Sequence, residues 1–261
     1  MNQQQISKNA ICSQSLDQAL NLLQVVTDSD ESLRLTDIAN ILGTNKTTAT
    51  RFINSFIKKG YLERVIHSKH VTLGPRAANL GYAFSIKSRL MQQIKPWVDE
   101  AYIRHGLHCD VVLLYDEKML LVYRREAQDT LIFKHFTAGN GFYYLATGKA
   151  LLAFMPEIQR DSILDGLQLV TKSQNTITDK DKLLVELKIS KNRGYAVNNE
   201  ESITGLVAIG APIFNMDNMN VIGAISLDAS TERTSMADLE QSYAKPVIEL
   251  AKKLSASMRF E

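Results

Sequence analysis

The side chains able to do chemistry fall in four places. Lys46, Thr47, Thr48, Thr50, Arg51, Asn54 and Lys58 share one short segment, and Arg64, His67, Lys69 and His70 follow closely. Hydroxyl, amide and guanidinium groups contact base edges, and cations contact phosphates. Gly148-Lys149 offers the end of a phosphate loop. That motif needs Gly at 143 and Ser or Thr at 150, where Tyr143 and Ala150 stand. His105, His108, Cys109 and Asp110 form the densest set of metal-ligating types. Gly106 interrupts any helix there, and alternate strand residues point to opposite faces, so the four are not expected to converge and no metal is assigned. Nothing marks an oxyanion hole beside Cys109, and no Gly-x-Ser-x-Gly elbow occurs. The neighbours Glu200 and Glu201 are read as a loop rim rather than an acid–base pair. No catalytic residue is assigned.

These groups need elements to position them. Leu16, Ala19, Leu20, Leu23 and Val26 have helical spacing over Ser15–Thr27, with Ser15 as N-cap. Thr36 is expected to cap a short helix that Gly43 stops. A third helix runs to Gly60, with Ala49, Phe52, Ile53, Phe56 and Ile57 as its apolar stripe. Its other face is the Lys46–Lys58 set, which contains no carboxylate. Tyr61–Arg64 and His70–Leu73 read as a hairpin around Ser68-Lys69. Helix, turn, helix and hairpin outline a winged helix-turn-helix. Arg76–Met91 reads as one helix burying Ala77, Leu80, Tyr82, Ala83 and Phe84, and Pro96 is expected to start the next. From Cys109 the period becomes that of strands. Asp110–Tyr115 and Met119–Arg125 form a hairpin, Leu131–Phe136 is a further strand, and Leu145–Phe154 a buried helix. A helix from Thr178-Asp179 ends at Gly194. Strands Leu206–Phe214 and Val221–Asp228 and a helix Ala237–Met258 follow. Met216 and Met219, in the turn between these strands, read as solvent-edge or interface contacts.

The chain has 261 residues, 45% apolar and 22% charged, with two cysteines and a formal charge of +2. These values exclude collagen-like, low-complexity and disulfide-framed chains. No apolar run approaches the ~18 residues of a membrane helix, and the polar N-terminus has no secretory pattern. A cytoplasmic protein is expected. The small net charge hides an asymmetry. Arg34 to Arg76 carries eight Lys and Arg against Asp37 and Glu63, a surplus of six positive charges on one stretch. Such a local excess points to a polyanion partner.

Several stretches together resemble the IclR-type transcriptional regulators. These are Leu35–Ala39, Gly43–Arg51, Gly60–Glu63, Ala146–Ala153, Arg193–Ala196 with Asn199–Glu201, Gly205–Ile209, Ala211–Phe214 and Gly223–Leu227. The resemblance spans roughly residues 10–255. It implies a winged helix at 10–74, a linker helix at 75–92 used in dimerisation, and a GAF-like α+β domain with an antiparallel sheet at 93–261. It implies palindromic double-stranded operators bound by dimers or tetramers, a small organic effector, no cofactor, and repression as the commoner sense. The implied pocket comprises Ala146, Thr147, Asn198, Ala208, Ser226 and Asp228, with Ile132 as apolar wall. Asn198 stands where an acidic residue is frequent, and Asp228 where a small hydroxyl or Gly is common. The stretch Phe136–Tyr144 lacks the family's Gly-Arg/Lys and Pro-Leu pattern. A carboxylate at Asp228 repels an anionic effector unless a cation offsets it. The competing reading is a sensor or enzyme whose helix-turn-helix mediates protein contacts.

Overall fold

The computed structural model describes residues 13–29, 31–127, 138–139 and 141–258. The chain divides into two compact units, with the boundary between Ile86 and Lys87. Ile132 and the expected strand Leu131–Phe136 lie outside the described residues.

The N-terminal unit packs α1 (Gln14–Asp28), α2 (Leu35–Ile41) and α3 (Lys46–Lys59) around Leu22, Val26, Ile38, Ile53, Leu62 and Val71. Ser13 rather than Ser15 precedes α1. Thr36 lies inside α2, whose N-cap is Arg34; the Arg34 amide donates to Asp37 at 3.1 Å. Thr36 therefore does not cap. The carboxylate one residue on reaches back to the entering chain instead. Asn45 is the N-cap of α3, its side chain accepting from the Thr48 amide at 2.8 Å. Gly60 ends that helix with φ +77, a left-handed conformation that costs glycine little. The wing strands are β2 (Leu62–Arg64) and β3 (His70–Leu73). A short strand that the sequence pattern did not reveal, β1 (Leu33–Arg34), pairs on the far side of β3.

The helix expected over Arg76–Met91 breaks at Ser88. α4 (Pro75–Lys87) and α5 (Arg89–His105) are separate, and Ser88 is the N-cap of α5. Pro96 lies inside α5 rather than at its start. No residue of α4 is buried; Leu80 is 59% exposed and Tyr82 65%. Apolar spacing was right for a helix, but nothing among the described residues buries its stripe.

The C-terminal unit is a six-stranded antiparallel sheet. Its strands are β4 (His108–Tyr115), β5 (Lys118–Arg125), β6 (Ala138–Gly139), β7 (Ala196–Asn199), β8 (Leu206–Phe214) and β9 (Val221–Ser230), in the order β6-β5-β4-β9-β8-β7. Asp116 and Glu117, both at positive φ, make the two-residue turn between β4 and β5. Alternation gives the sheet two faces. Cys109, Val111, Ile209, Ile225 and Leu227 pack with α5 and α9 (Met236–Ser257). Val112, Val221 and Ala224 pack with α6 (Ala146–Phe154), α7 (Glu157–Gly166) and α8 (Lys180–Arg193). α8 starts from Asp179, whose side chain accepts from the Lys182 amide, and stops at Gly194. Helix α7 was not expected; its moderate periodicity gives little signal.

Candidate nucleic-acid interface and ligand site

Ala49 and Ile53 anchor α3 in the core, which fixes the rotation of that helix. Lys46, Thr47, Arg51, Asn54 and Lys58 are consequently exposed, and Thr48 and Thr50 half-buried. The Thr50 hydroxyl donates to the Lys46 carbonyl at 2.6 Å, which directs it along the helix rather than outward. No acidic residue occurs in α3. Arg64 of β2 donates to Asn54 Oδ1 at 3.2 Å, joining the wing to the exposed face of the helix. Arg64 and Lys69 are both exposed. Exposed cations, the leading helix amides ahead of the capped Thr48, and amide or hydroxyl groups on one rigid face make a surface for phosphates and base edges. The Asn54–Arg64 link is one that sequence spacing could not show.

The second constellation lies on the α6 face of the large sheet. Register pairs Asn198 with Ala208, Ala208 with Asp228, and Asp228 with His108. The neighbouring row pairs Gly210 with Ser226, Ser226 with Asp110, and Asp110 with Arg124. Asn198, Ala208 and Ser226 are buried, as are Ala146 and Thr147 in the first turn of α6. Gly210 allows that turn to sit directly on the sheet: a Cβ there would lie 2.8 Å from the Ala146 carbonyl carbon and 3.0 Å from the Thr147 nitrogen. The expected pocket residues other than Ile132 thus belong to neighbouring strands and the helix start above them. Asn198 is turned to structure, its Oδ1 accepting from the amides of Glu201 (2.8 Å) and Ser202 (3.3 Å).

His108, Asp110 and Arg124 complete this region and were not assigned to it from sequence. Arg124 holds Asp110 at both oxygens, Nε to Oδ1 at 2.7 Å and a terminal nitrogen to Oδ2 at 2.5 Å. His108 Nε2 lies 3.1 Å from Asp110 Oδ1. Burial works to raise the Asp110 pKa, but the hydrogen bonds from Arg124 and His108 prevail and lower it. Burial likewise disfavours charged His108, yet Asp110 and Asp228 outweigh it and raise its pKa. Burial first, and the Asp110 charge second, push Asp228 up to about 6. Asp228 Oδ1 is shut off from solvent and has no hydrogen-bond partner among the described residues.

Ligand atoms of His108, Asp110 and Asp228 lie within 4.8 Å of one another, close enough to consider a cation. Asp110 is already engaged by Arg124, and a raised His108 pKa opposes the neutral ring that a metal requires. The set fits a hydrogen-bonded charge network better than a metal centre. His105 and Cys109, from the same segment, lie apart from this set, as expected. The His105 ring packs edge-on against Tyr243. Cys109 faces the opposite core, its thiol toward the Leu107 carbonyl, with its pKa raised by burial.

Glu201 corrects the loop-rim expectation. Lys149 is fully buried, and its Nζ donates to Glu201 Oε1 and Oε2 at 2.6 and 2.7 Å. The phosphate-loop lysine of the rejected motif is therefore an internal tie between α6 and the loop after β7. Burial lowers the Lys149 pKa and raises that of Glu201, each against the pull of its partner. Glu200, at φ +56, accepts from the Gly205 amide at 2.8 Å and shapes the same loop.

A winged helix with a basic reading face, and a separate α+β unit with a polar site on its sheet, define a DNA-binding regulator of sensor type. Residues 15–65 match the IclR helix-turn-helix domain, and residues 85–256 match the bacterial transcriptional regulator IclR C-terminal domain. The chain belongs to the IclR family of transcriptional regulators. It is 30% identical over 246 residues to the HTH-type transcriptional regulator BhcR of Paracoccus denitrificans, covering 94% of this chain and 87% of that one. The fold is that of an IclR-type regulator from Alicyclobacillus acidocaldarius, with TM-score 0.78, 24% identity, and 94% and 98% of the two chains covered. It is also that of an IclR homologue from Microbacterium hydrocarbonoxydans complexed with 4-hydroxybenzoate, at TM-score 0.68 and 22% identity, covering 93% and 96%.

Proposed function

We propose that the chain is a cytoplasmic, non-enzymatic repressor that binds a palindromic operator as a dimer or tetramer and is controlled by a small effector. In this reading Arg51 and Asn54 address base edges, with Lys46, Thr47 and Thr48 beside them. Lys58, Arg64 and Lys69 hold the phosphates. The carrying observation is the exposed, carboxylate-free face of α3, braced to the wing through Asn54 and Arg64. The apolar, uncovered stripe of α4 supports association of copies. A protein of the same fold crystallised with 4-hydroxybenzoate supports control by a small effector. Effector control requires that ligand and operator favour different states of the protein.

The test selects an operator from random duplexes with the full-length protein, then measures affinity by fluorescence anisotropy. Arg51→Ala is expected to lose about 1–3 kcal/mol at one base position, whereas Lys69→Ala weakens all sequences alike. Equal loss on every duplex for Arg51→Ala would remove it from the base-reading set. A protein that selects no sequence would end the regulator assignment of α3.

A further inference from the structure

The buried polar row holds an unmet hydrogen-bond acceptor at Asp228, and its surroundings restrict what can meet it. Asp228 Oδ1 is inaccessible to solvent and has no partner among the described residues. The nearby cations are engaged: Arg124 is bidentate on Asp110, and Lys149 holds both oxygens of Glu201. His108 Nε2 faces Asp110. Among the described residues, a ligand at this row therefore meets an anionic acceptor whose neighbouring cations are already engaged.

Donors lie close by. Gly210 seats the first turn of α6 on the row adjoining Asp228, and its neighbour there is Ser226. The N-cap of that helix, Leu145, has no side chain with which to cap the first-turn amides. Thr147 adds a hydroxyl, whereas that of Ser226 is already committed to the Asp228 carboxylate. A carboxylate can only accept, and an ammonium can only donate, whereas a hydroxyl does both.

Resting on the effector reading above, we propose that the effector is a hydroxyl-rich small molecule of the sugar or polyol class, one hydroxyl of which donates to Asp228 Oδ1. Its oxygens accept from the first turn of α6. A keto acid without hydroxyls has nothing to donate and brings its charge toward Asp228.

The experiment titrates glycerol, ribitol, D-xylose, D-glucose, D-gluconate and pyruvate into the full-length protein by calorimetry. Operator anisotropy is read in parallel. The expected result is binding by at least one hydroxylated probe, no binding by pyruvate, and a tenfold to hundredfold loss in Asp228→Ala. Asp228→Asn, which keeps the shape, is expected to lose less, and Trp97 fluorescence checks that both variants are folded. The proposal is overturned if pyruvate binds and Asp228→Ala leaves its affinity unchanged or tighter. It is overturned equally if no probe binds, or if zinc chloride alone binds stoichiometrically in a manner abolished by Asp228→Ala. Pyruvate that releases the operator would keep the effector reading and end this proposal. A polyol bound through Asp228 without effect on the operator would do the reverse.

Discussion

Asp228 sits where its charge opposes folding. Its ordinary carboxylate pKa of 3.8 is pushed up to about 6, first by burial and then by the neighbouring Asp110 charge. The folded chain therefore binds this proton more tightly than the unfolded chain does. Stability falls as pH rises from about 4 to about 6, and the cost is fully present above that window. Asp228→Asn should accordingly stabilise the C-terminal unit at pH 7, by at most about 3 kcal/mol, with the gain vanishing below about pH 4. Trp97, the one tryptophan, packs against the core of that unit and reports its unfolding in denaturant. An Asn variant that is less stable than the native protein at pH 7 would show that Asp228 is paired in solution. Asp110 works in the opposite direction. Its lowered pKa adds stability that is present above the ordinary carboxylate range and lost as pH falls through its own value.

At the scale of elements, α6 is placed by close contacts and by one buried ion pair. Gly148 lies against the preceding turn, so that a Cβ would come within 2.5 Å of the Gly141 oxygen and the Phe142 Cα. Both neighbours are backbone and cannot rotate aside. Gly148→Ala is expected to destabilise the unit by roughly 1–3 kcal/mol, seen as a lower unfolding midpoint. Lys149 and Glu201 fasten the same helix to the loop after β7. Lys149→Met alone leaves a buried carboxylate uncompensated and should cost about 3–5 kcal/mol, whereas Lys149→Met with Glu201→Leu should recover most of it. A double variant no more stable than the single one would mean that Glu201 serves the loop chiefly through its bond to the Asn199 amide. The sequence pattern shows α6 as an apolar helix, and it shows Gly148 and Lys149 as neighbours. It does not show that the two residues close opposite sides of one joint.

For the whole molecule, the small formal charge of +2 conceals a division of labour. Six surplus positive charges lie between Arg34 and Arg76, within the winged-helix unit. If each protomer neutralises about six phosphates, log affinity should fall against log salt with a slope of about −5 per protomer. Anisotropy titrations between low and physiological salt would measure this slope. A flat response would place the basic face away from the phosphates. Among the described residues no helix is long and apolar enough to cross a membrane.

The sequence by itself determined what depends on near neighbours. Helical spacing placed Ala49 and Ile53 inward and left Lys46, Arg51 and Asn54 outward, because a helix fixes its faces within a few residues. Gly60 and Gly194 marked helix ends for the same local reason, and the charge surplus required only counting. Local pattern did not show that Ser88 divides the linker, or that Pro96 lies within a helix, since a first-turn position and an interior kink look alike in the sequence. Tertiary structure alone decided the ligand row. His108, Asp110 and Asp228 come together because β4 pairs with β9 in one register, and a slip of one strand by one residue would put Asp228 on the opposite face from His108 and Asp110. It also decided that Arg124 is bidentate on Asp110 rather than on Asp228. That choice is made by distance across a sheet, which residue order does not encode directly.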